Sequence, residues 1–352
     1  MSSEVSAAFA PGRVNLIGEH TDYNLGLALP FAIAEGGTVR ARVLDPGPAG
    51  EARVSAHAAD LGERDEFLLS EVPAGEGWRA FVRGTVAELR RAGIPVPGSS
   101  LEIAGNLQQG AGLSSSAALE VALALALIDL GSPAVGELDR MDIARLCSRV
   151  ENDWVGAQTG LLDQIASLYG AADTALCVDF RALEVTPVPL HLGGWRLVLL
   201  HSGERHANAS SGYNERRAEC ARACELLGVD SLREADRAAV ERLPDPERLR
   251  AQHILGENER VREAVRALES EDLPRLGELL NASHASLRDL FQISTPAVEV
   301  AVQSLLRAGA SGARLMGGGF GGSVLGLFAP EFTAPPGARE VRPSAGAHLL
   351  RD

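Results

Sequence analysis

Gly110-Ala111-Gly112-Leu113-Ser114-Ser115-Ser116-Ala117-Ala118 is the stretch on which the fold turns, and an apolar run to residue 130, with Glu120 inside it, follows at once. The glycines let the backbone approach an anion closely. The next amides point outward from a helix N-terminus, and the serines add hydroxyl donors or a magnesium ligand. A plain helix cap needs one hydroxyl, whereas a nucleotide loop can use several, so three successive serines favour a triphosphate cradle over a capped turn. The run to residue 130 is too short to cross a bilayer and reads as a buried helix.

One absence narrows the class of cradle. All 33 basic residues are Arg, and the chain contains no lysine. A Walker A loop needs Lys, and so does the protein-kinase scheme, so both are excluded. The net charge of -14 and the lack of a basic run exclude nucleic acid and anionic membrane surfaces as partners. Residues 1–9 do not resemble a secretion signal, so a cytoplasmic protein is expected. Cys147, Cys177, Cys220 and Cys224 form no CxxC pair and no Cys/His set, which reads as free thiols in a reducing compartment.

A length of 352 residues with 45% hydrophobic and 23% charged residues predicts two packed domains with a cleft between them. Residues 10–33 read as strand, polar loop, strand; 39–43 and 52–57 alternate like strands; 78–92 has helical spacing; and 101–104 is a strand entering the glycine loop. Helices are expected at 141–154 and 161–169, with a turn at Gly156 and Gly160 between them. Residues 195–201 form a strand, the chain from about 211 is mostly helical, and 296–308 is a helix leading to a strand at 323–328. The tail, rich in Pro and Ala, is expected at the surface.

Two further segments carry chemistry. Pro11 to Asn24 reads PGRVNLIGEHTDYN. Glu19 and Asp22 can accept hydrogen bonds from vicinal hydroxyls, His20 can donate or accept, and Arg13 supplies fixed positive charge, which together can hold a sugar. Standing alone it would read as an exposed acidic turn. The second, residues 317–323, places five glycines around Phe320 and by itself suggests only a tight turn between helix and strand. Between them, Glu151 and Asp163 sit at neighbouring helix ends and can share a cleft. Magnesium prefers oxygen ligands, so Glu151 with a serine hydroxyl makes a sensible pair, leaving Asp163 for an acceptor hydroxyl. A helix-end carboxylate held by the dipole or an ion pair is the plain alternative for each.

The three glycine-bearing segments in this order resemble the three motifs of the GHMP kinases, and GRVNLIGEHTDY is similar to the galactokinase signature within that group. WRAFVRG (78–84), TGLLDQ (159–164) and YNERR (213–217) agree, so the resemblance spans nearly the whole chain. It implies an α+β fold of two domains: residues 1–172 with a mixed sheet like that of a ribosomal-protein domain, and residues 173–352 with a ferredoxin-like arrangement. By the same resemblance, Asp163 is the catalytic aspartate and Arg13 its partner. Glu19, His20, Thr21, Asp22, Gly160 and Tyr213 meet the sugar. Gly110, Ala111, Gly112, Leu113, Ser114, Ser115 and Ser116 hold ATP, Ser116 and Glu151 ligate Mg2+, and Trp78 lines the adenine pocket.

The activity so implied is phosphorylation of galactose at its anomeric hydroxyl by a monomeric enzyme. Asp163 would orient that hydroxyl or accept its proton. Departures from the pattern are Gln108 where proline is common, Met316 for threonine, Ser323 for cysteine, and Gly212 for the glutamate often found before the tyrosine. Mevalonate kinases usually carry lysine at the position of Arg13, which favours the sugar kinase. Two alternatives remain at this point: a galactose-sensing regulator, against which Ser116, Ala117, Asp163 and Arg13 argue, and a kinase for a related sugar such as N-acetylgalactosamine.

Overall fold

The computed structural model describes residues 4–47, 50–107, 112–131, 138–204 and 209–351. Its first sheet runs in the order β13-β1-β3-β6-β4-β5, with β1 (Val5–Asn15), β3 (Pro30–Val43), β4 (Arg53–Ala58), β5 (Glu63–Leu68), β6 (Ser99–Gly105) and β13 (His348–Leu349). All neighbours are antiparallel except β4 and β6, so the sheet is mixed. Against it pack α1 (Trp78–Arg91), α2 (Ser115–Gly131), α3 (Arg140–Arg149) and α4 (Leu162–Tyr169). Helix α2 is apolar on every side and lies at the centre of this core, from Ala117 to Leu130 almost wholly buried.

The second half is built on β9 (Arg196–His201), β10 (Ala310–Leu315), β11 (Ser323–Phe328) and β12 (Arg339–Val341), ordered β10-β11-β9-β12 and antiparallel throughout. The helices α5 (Ala209–Leu227), α6 (Arg237–Val240), α7 (Glu247–Glu269), α8 (Leu273–Asp289) and α9 (Pro296–Arg307) accompany it. Asp272 caps α8 and Thr295 caps α9, each accepting from a backbone N–H three residues on, with proline in the first turn of both helices. A third small sheet joins β2 (Leu27–Ala28) to β7 (Thr174–Asp179) and β8 (Glu184–Pro189).

The halves are laced together. Val14, Leu16, Ile17 and Phe31 share one buried core with Val261, Leu276, Leu280 and Leu325. The expected surface tail is instead structural: β12 extends the second sheet, β13 pairs with β1 in the first, and Val341 and Ala347 are buried. Pro and Ala content misled there because edge pairing needs only two or three backbone residues, too few for a periodic signal. Helix α3 also ends earlier than its apolar spacing suggests. The chain widens at Val150–Val155 into a π-helical turn, closed by Gly156 at φ 80°. Such wide turns recur at functional sites, and this one carries Glu151.

Candidate active site

At the junction of the halves lies a cavity of about 340 Å³, lined by Arg13, Glu19, His20, Asp22, Ser116, Gly160, Asp163, Tyr213, Gly317 and others. Its size suits a small-molecule ligand. Five sequence-distant segments of the described residues build it.

Arg13 reaches the cavity through an irregularity in the long β1–β3 pairing, where the register shifts between Pro11 and Arg13. A bulge of this kind re-aims a side chain. Gly12 is required at that point, because a Cβ there would sit 2.5 Å from the Leu113 carbonyl. The close approach lets Arg13 Nη1 donate to the Gly112 carbonyl at 2.6 Å while Nε donates to Asp163 Oδ1 at 2.8 Å. Ser114, in the left-handed region at φ 59°, donates its hydroxyl to the other carboxylate oxygen, Asp163 Oδ2. Asp163 is thus oriented through both oxygens.

Gly110 and Ala111, with Gln108, lie outside the described residues. Of the rest of the cradle, Leu113 is buried, Ser115 opens α2 and is exposed, and Ser116 faces the cavity with its hydroxyl on Glu151. Glu151 is itself buried. It accepts from Thr159 Oγ1 at 2.5 Å and Gln164 Nε2 at 3.0 Å, both on the same oxygen. No ion pair reaches it among the described residues, and burial, then the charge of Asp163, push its carboxyl above the ordinary value of 4.5. A buried carboxylate with only neutral donors, beside a hydroxyl and a second carboxylate, fits a divalent cation.

On the opposite wall, the loop after β1 is tied down from several directions. Asp22 is pushed up from 3.8 to about 6, chiefly by burial, with the Asp163 and Glu19 charges adding to it and the Tyr23 N–H opposing. Gly160 lies against it so closely that a Cβ would come within 2.0 Å of Asp22 Oδ2. His20 has φ 61°, and its Nδ1 shares a hydrogen bond of 2.8 Å with the Tyr23 hydroxyl. Burial lowers it from 6.5 to about 3, against an opposing pull from the Gly318 backbone, so the imidazole is neutral. Its ring packs against those of Tyr213 at 5.1 Å and Phe291 at 4.6 Å.

Two expected residues stand elsewhere. Thr21 is fully buried but does not line the cavity; its hydroxyl is held by the Gly18 and Leu27 carbonyls at 2.9 and 2.7 Å. Trp78 also lies outside the lining, half-buried at the start of α1, with its indole N–H on Glu63 Oε2 at 2.9 Å. Gly212, the departure beside Tyr213, is accounted for by packing: a Cβ would meet the Phe320 ring at 2.6 Å.

Other participants escaped the sequence reading. Thr159 and Gln164 lay inside a quoted motif without a role. Glu257 accepts from the Gly18 N–H at 3.0 Å and Ser283 Oγ at 2.7 Å. The Asn258 side chain accepts from the Leu27 N–H at 2.7 Å, and His253 bonds the Glu19 carbonyl at 3.3 Å. All three come from α7, more than 200 residues away, with no local signal.

This sequence and fold are matched by known proteins. Residues 80–171 match the GHMP kinases N terminal domain, 264–348 the GHMP kinases C terminal family, and 2–43 the galactokinase galactose-binding signature. The class of protein is therefore a GHMP kinase. A galactokinase of Mycobacterium tuberculosis is 45% identical over 343 residues, 96% of this chain and 92% of that one. A galactokinase of Streptomyces coelicolor is 41% identical over 368 residues, 97% and 93% of the two. The crystal structure of Lactococcus lactis galactokinase complexed with galactose superposes with a TM-score of 0.90 at 31% identity, covering 99% of this chain and 96% of that one. The chain belongs to the galactokinase family. Among its described residues no helix is long and apolar enough to cross a membrane.

Proposed function

We propose that this protein transfers the γ-phosphoryl group of ATP to the anomeric hydroxyl of α-D-galactose, giving galactose 1-phosphate and ADP. The observation that carries the reading is the placing of Asp163. It is joined to Arg13 and to Ser114 of the serine run, and it borders the cavity that Glu19, His20, Asp22, Gly160 and Tyr213 also line. A sugar held there presents a hydroxyl to Asp163 on one side and to the phosphate loop on the other. The anomeric oxygen forms a bond to the γ-phosphorus as the bond to the bridging oxygen of ADP breaks, and Asp163 orients that hydroxyl and takes its proton.

Gly112 to Ser116 supply amides and hydroxyls to the triphosphate, with Gly110 and Ala111 assigned to the same cradle. Ser116 and Glu151 would hold Mg2+, which neutralises phosphate charge when bound. Trp78 is assigned to the adenine as a half-buried aromatic platform. The division at residue 172 assigns the phosphate loop and sugar motif to the first half and Tyr213 with the third glycine cluster to the second. A monomer in the cytoplasm completes the reading.

The test is a panel of sugars with MgATP, scored for ADP and for the position of the new phosphate. Galactose is expected to turn over, with N-acetylgalactosamine and glucose slower. In parallel, Asp163→Asn is expected to lower kcat by about 10²- to 10⁴-fold while calorimetry still detects galactose binding. Near-normal turnover in that variant would remove Asp163 from the mechanism.

A further inference from the structure

The third glycine cluster and the strand before it have no part in the chemistry described so far, yet they end against the sugar wall. Arg314, on β10, is wholly buried. Its Nη1 donates to the carbonyls of Asn15 and Leu16 at 2.9 and 3.0 Å, and its Nη2 pairs with Glu19 Oε1 at 3.0 Å. Three residues later, the Gly317 N–H donates to that same oxygen at 2.8 Å, from a backbone at φ 78°. Both contacts therefore fall on one side of the carboxylate. Glu19 Oε2 takes no part in either contact, and Glu19 lines the cavity.

We propose that Arg314 is a positioning residue for the sugar: together with the Gly317 amide it fixes Glu19 Oε1, so that Oε2 is left as a single, oriented acceptor for a sugar hydroxyl. The inference rests on the reading of Glu19 as a sugar ligand. The physical logic has two parts. A buried guanidinium and a buried carboxylate each need the other, since removing one leaves an uncompensated charge. The guanidinium also ties two places together, its Nη1 hydrogen-bonding the Asn15 and Leu16 carbonyls at the end of the strand leading to Glu19 while its Nη2 makes the ion pair with the carboxylate, so strand and side chain are set as a unit. Lysine gathers its three N–H donors on one nitrogen and cannot reproduce contacts that two separated guanidinium nitrogens make.

The test is a double-mutant cycle read through separate kinetic constants. Arg314→Lys is expected to raise the galactose KM about tenfold, with the ATP KM and kcat changed less than about threefold, because a rim of misdirected oxygen weakens sugar binding alone. In a Glu19→Gln background the same change is expected to add less than about twofold, since the two residues act through one contact. Should Arg314→Lys fold too poorly to assay, Glu19→Gln with Arg314→Gln replaces it, removing both charges together. Its galactose KM is then expected to match that of Glu19→Gln alone within about twofold.

Equal damage to galactose and ATP constants, or effects that multiply in the double variant, would overturn the positioning role. An unchanged galactose KM in Glu19→Gln alone would instead sink the assignment of Glu19 to the sugar, and this proposal with it. Failure of wild-type enzyme to turn over galactose while phosphorylating another sugar would count against the substrate rather than against Arg314.

Discussion

Asp22 shows how much one side chain owes to its surroundings. Burial holds it near 6 in the free site, two units above an ordinary aspartate, so near neutrality it stands close to its titration point. A sugar that needs the ionised carboxylate as acceptor must compete with a proton below that value. Galactose KM should therefore rise as pH falls through 6, by about tenfold per unit, and Asp22→Asn should flatten the profile at a weaker level of binding. His20, lowered to about 3, stays neutral over this range and adds no slope of its own. Steady-state kinetics between pH 5 and 8 checks both statements. Glu151 carries the corresponding prediction for the metal. Glu151→Ala should raise the Mg2+ concentration for half-maximal rate by about tenfold or more, and an unchanged magnesium dependence would count against its assignment.

Elements place these residues by approaching one another more closely than ordinary packing allows. The bulge in β1 needs Gly12 beside the Leu113 carbonyl, and the π-turn after α3 swings Glu151 beneath the serines. The tightest crossing of the second half is between α8 and β10, the strand that carries Arg314. A Cβ on Gly312 would lie 2.1 Å from the Gly277 carbonyl, and one on Gly277 would lie 2.9 Å from Ser311. Gly312→Ala must force helix and strand apart and should cost about 2 to 4 kcal/mol in urea unfolding, with a raised galactose KM as Arg314 shifts. The same substitution at Gly93, where nothing lies within 4 Å but φ is 76°, should cost only about 1 kcal/mol of backbone strain. That contrast separates close approach from conformational freedom.

Over the whole molecule, buried ionisable groups link stability to pH in opposing directions. His253, lowered from 6.5 to about 4 mainly by burial, is neutral in the folded protein but takes a proton below 6.5 in the unfolded chain. Its contribution is complete above pH 6.5 and lost as pH falls toward 4. Asp22, Glu120 and Glu151, all pushed up, act the other way and gain as pH falls. Bulk stability mixes the two sets, so a difference isolates one. The destabilisation caused by His253→Gln should shrink by about 2 kcal/mol between pH 7 and pH 5, measured by denaturant unfolding of both proteins.

Legibility in the sequence follows the range of the interaction. Ser116, Glu19, His20, Asp22 and Asp163 could be expected in one cavity because each lies in a short run whose residue types suit one ligand, and α2 could be read because its run is apolar throughout. Thr21 stands in such a run too, but its hydroxyl is held by the Gly18 and Leu27 carbonyls of its own loop. Arg314, Glu257, Asn258 and His253 could not be found, since their partners lie between 231 and 299 residues away and nothing local marks an arginine or glutamate as buried.

Taken alone, the chain's residues determined the family resemblance and the mixed helix and strand content, and marked the lysine-free glycine and serine run and the acidic loop as candidates for phosphate and for hydroxyls, since glycine freedom, hydroxyl runs and apolar periodicity act within a few residues. Only the folded chain decided which oxygen of Glu19 meets Arg314 and the Gly317 amide, how far Asp22 is pushed from an ordinary aspartate, and that the tail completes both sheets. Those outcomes depend on burial and on charges brought together from distant segments, and neither exists until the two halves have packed.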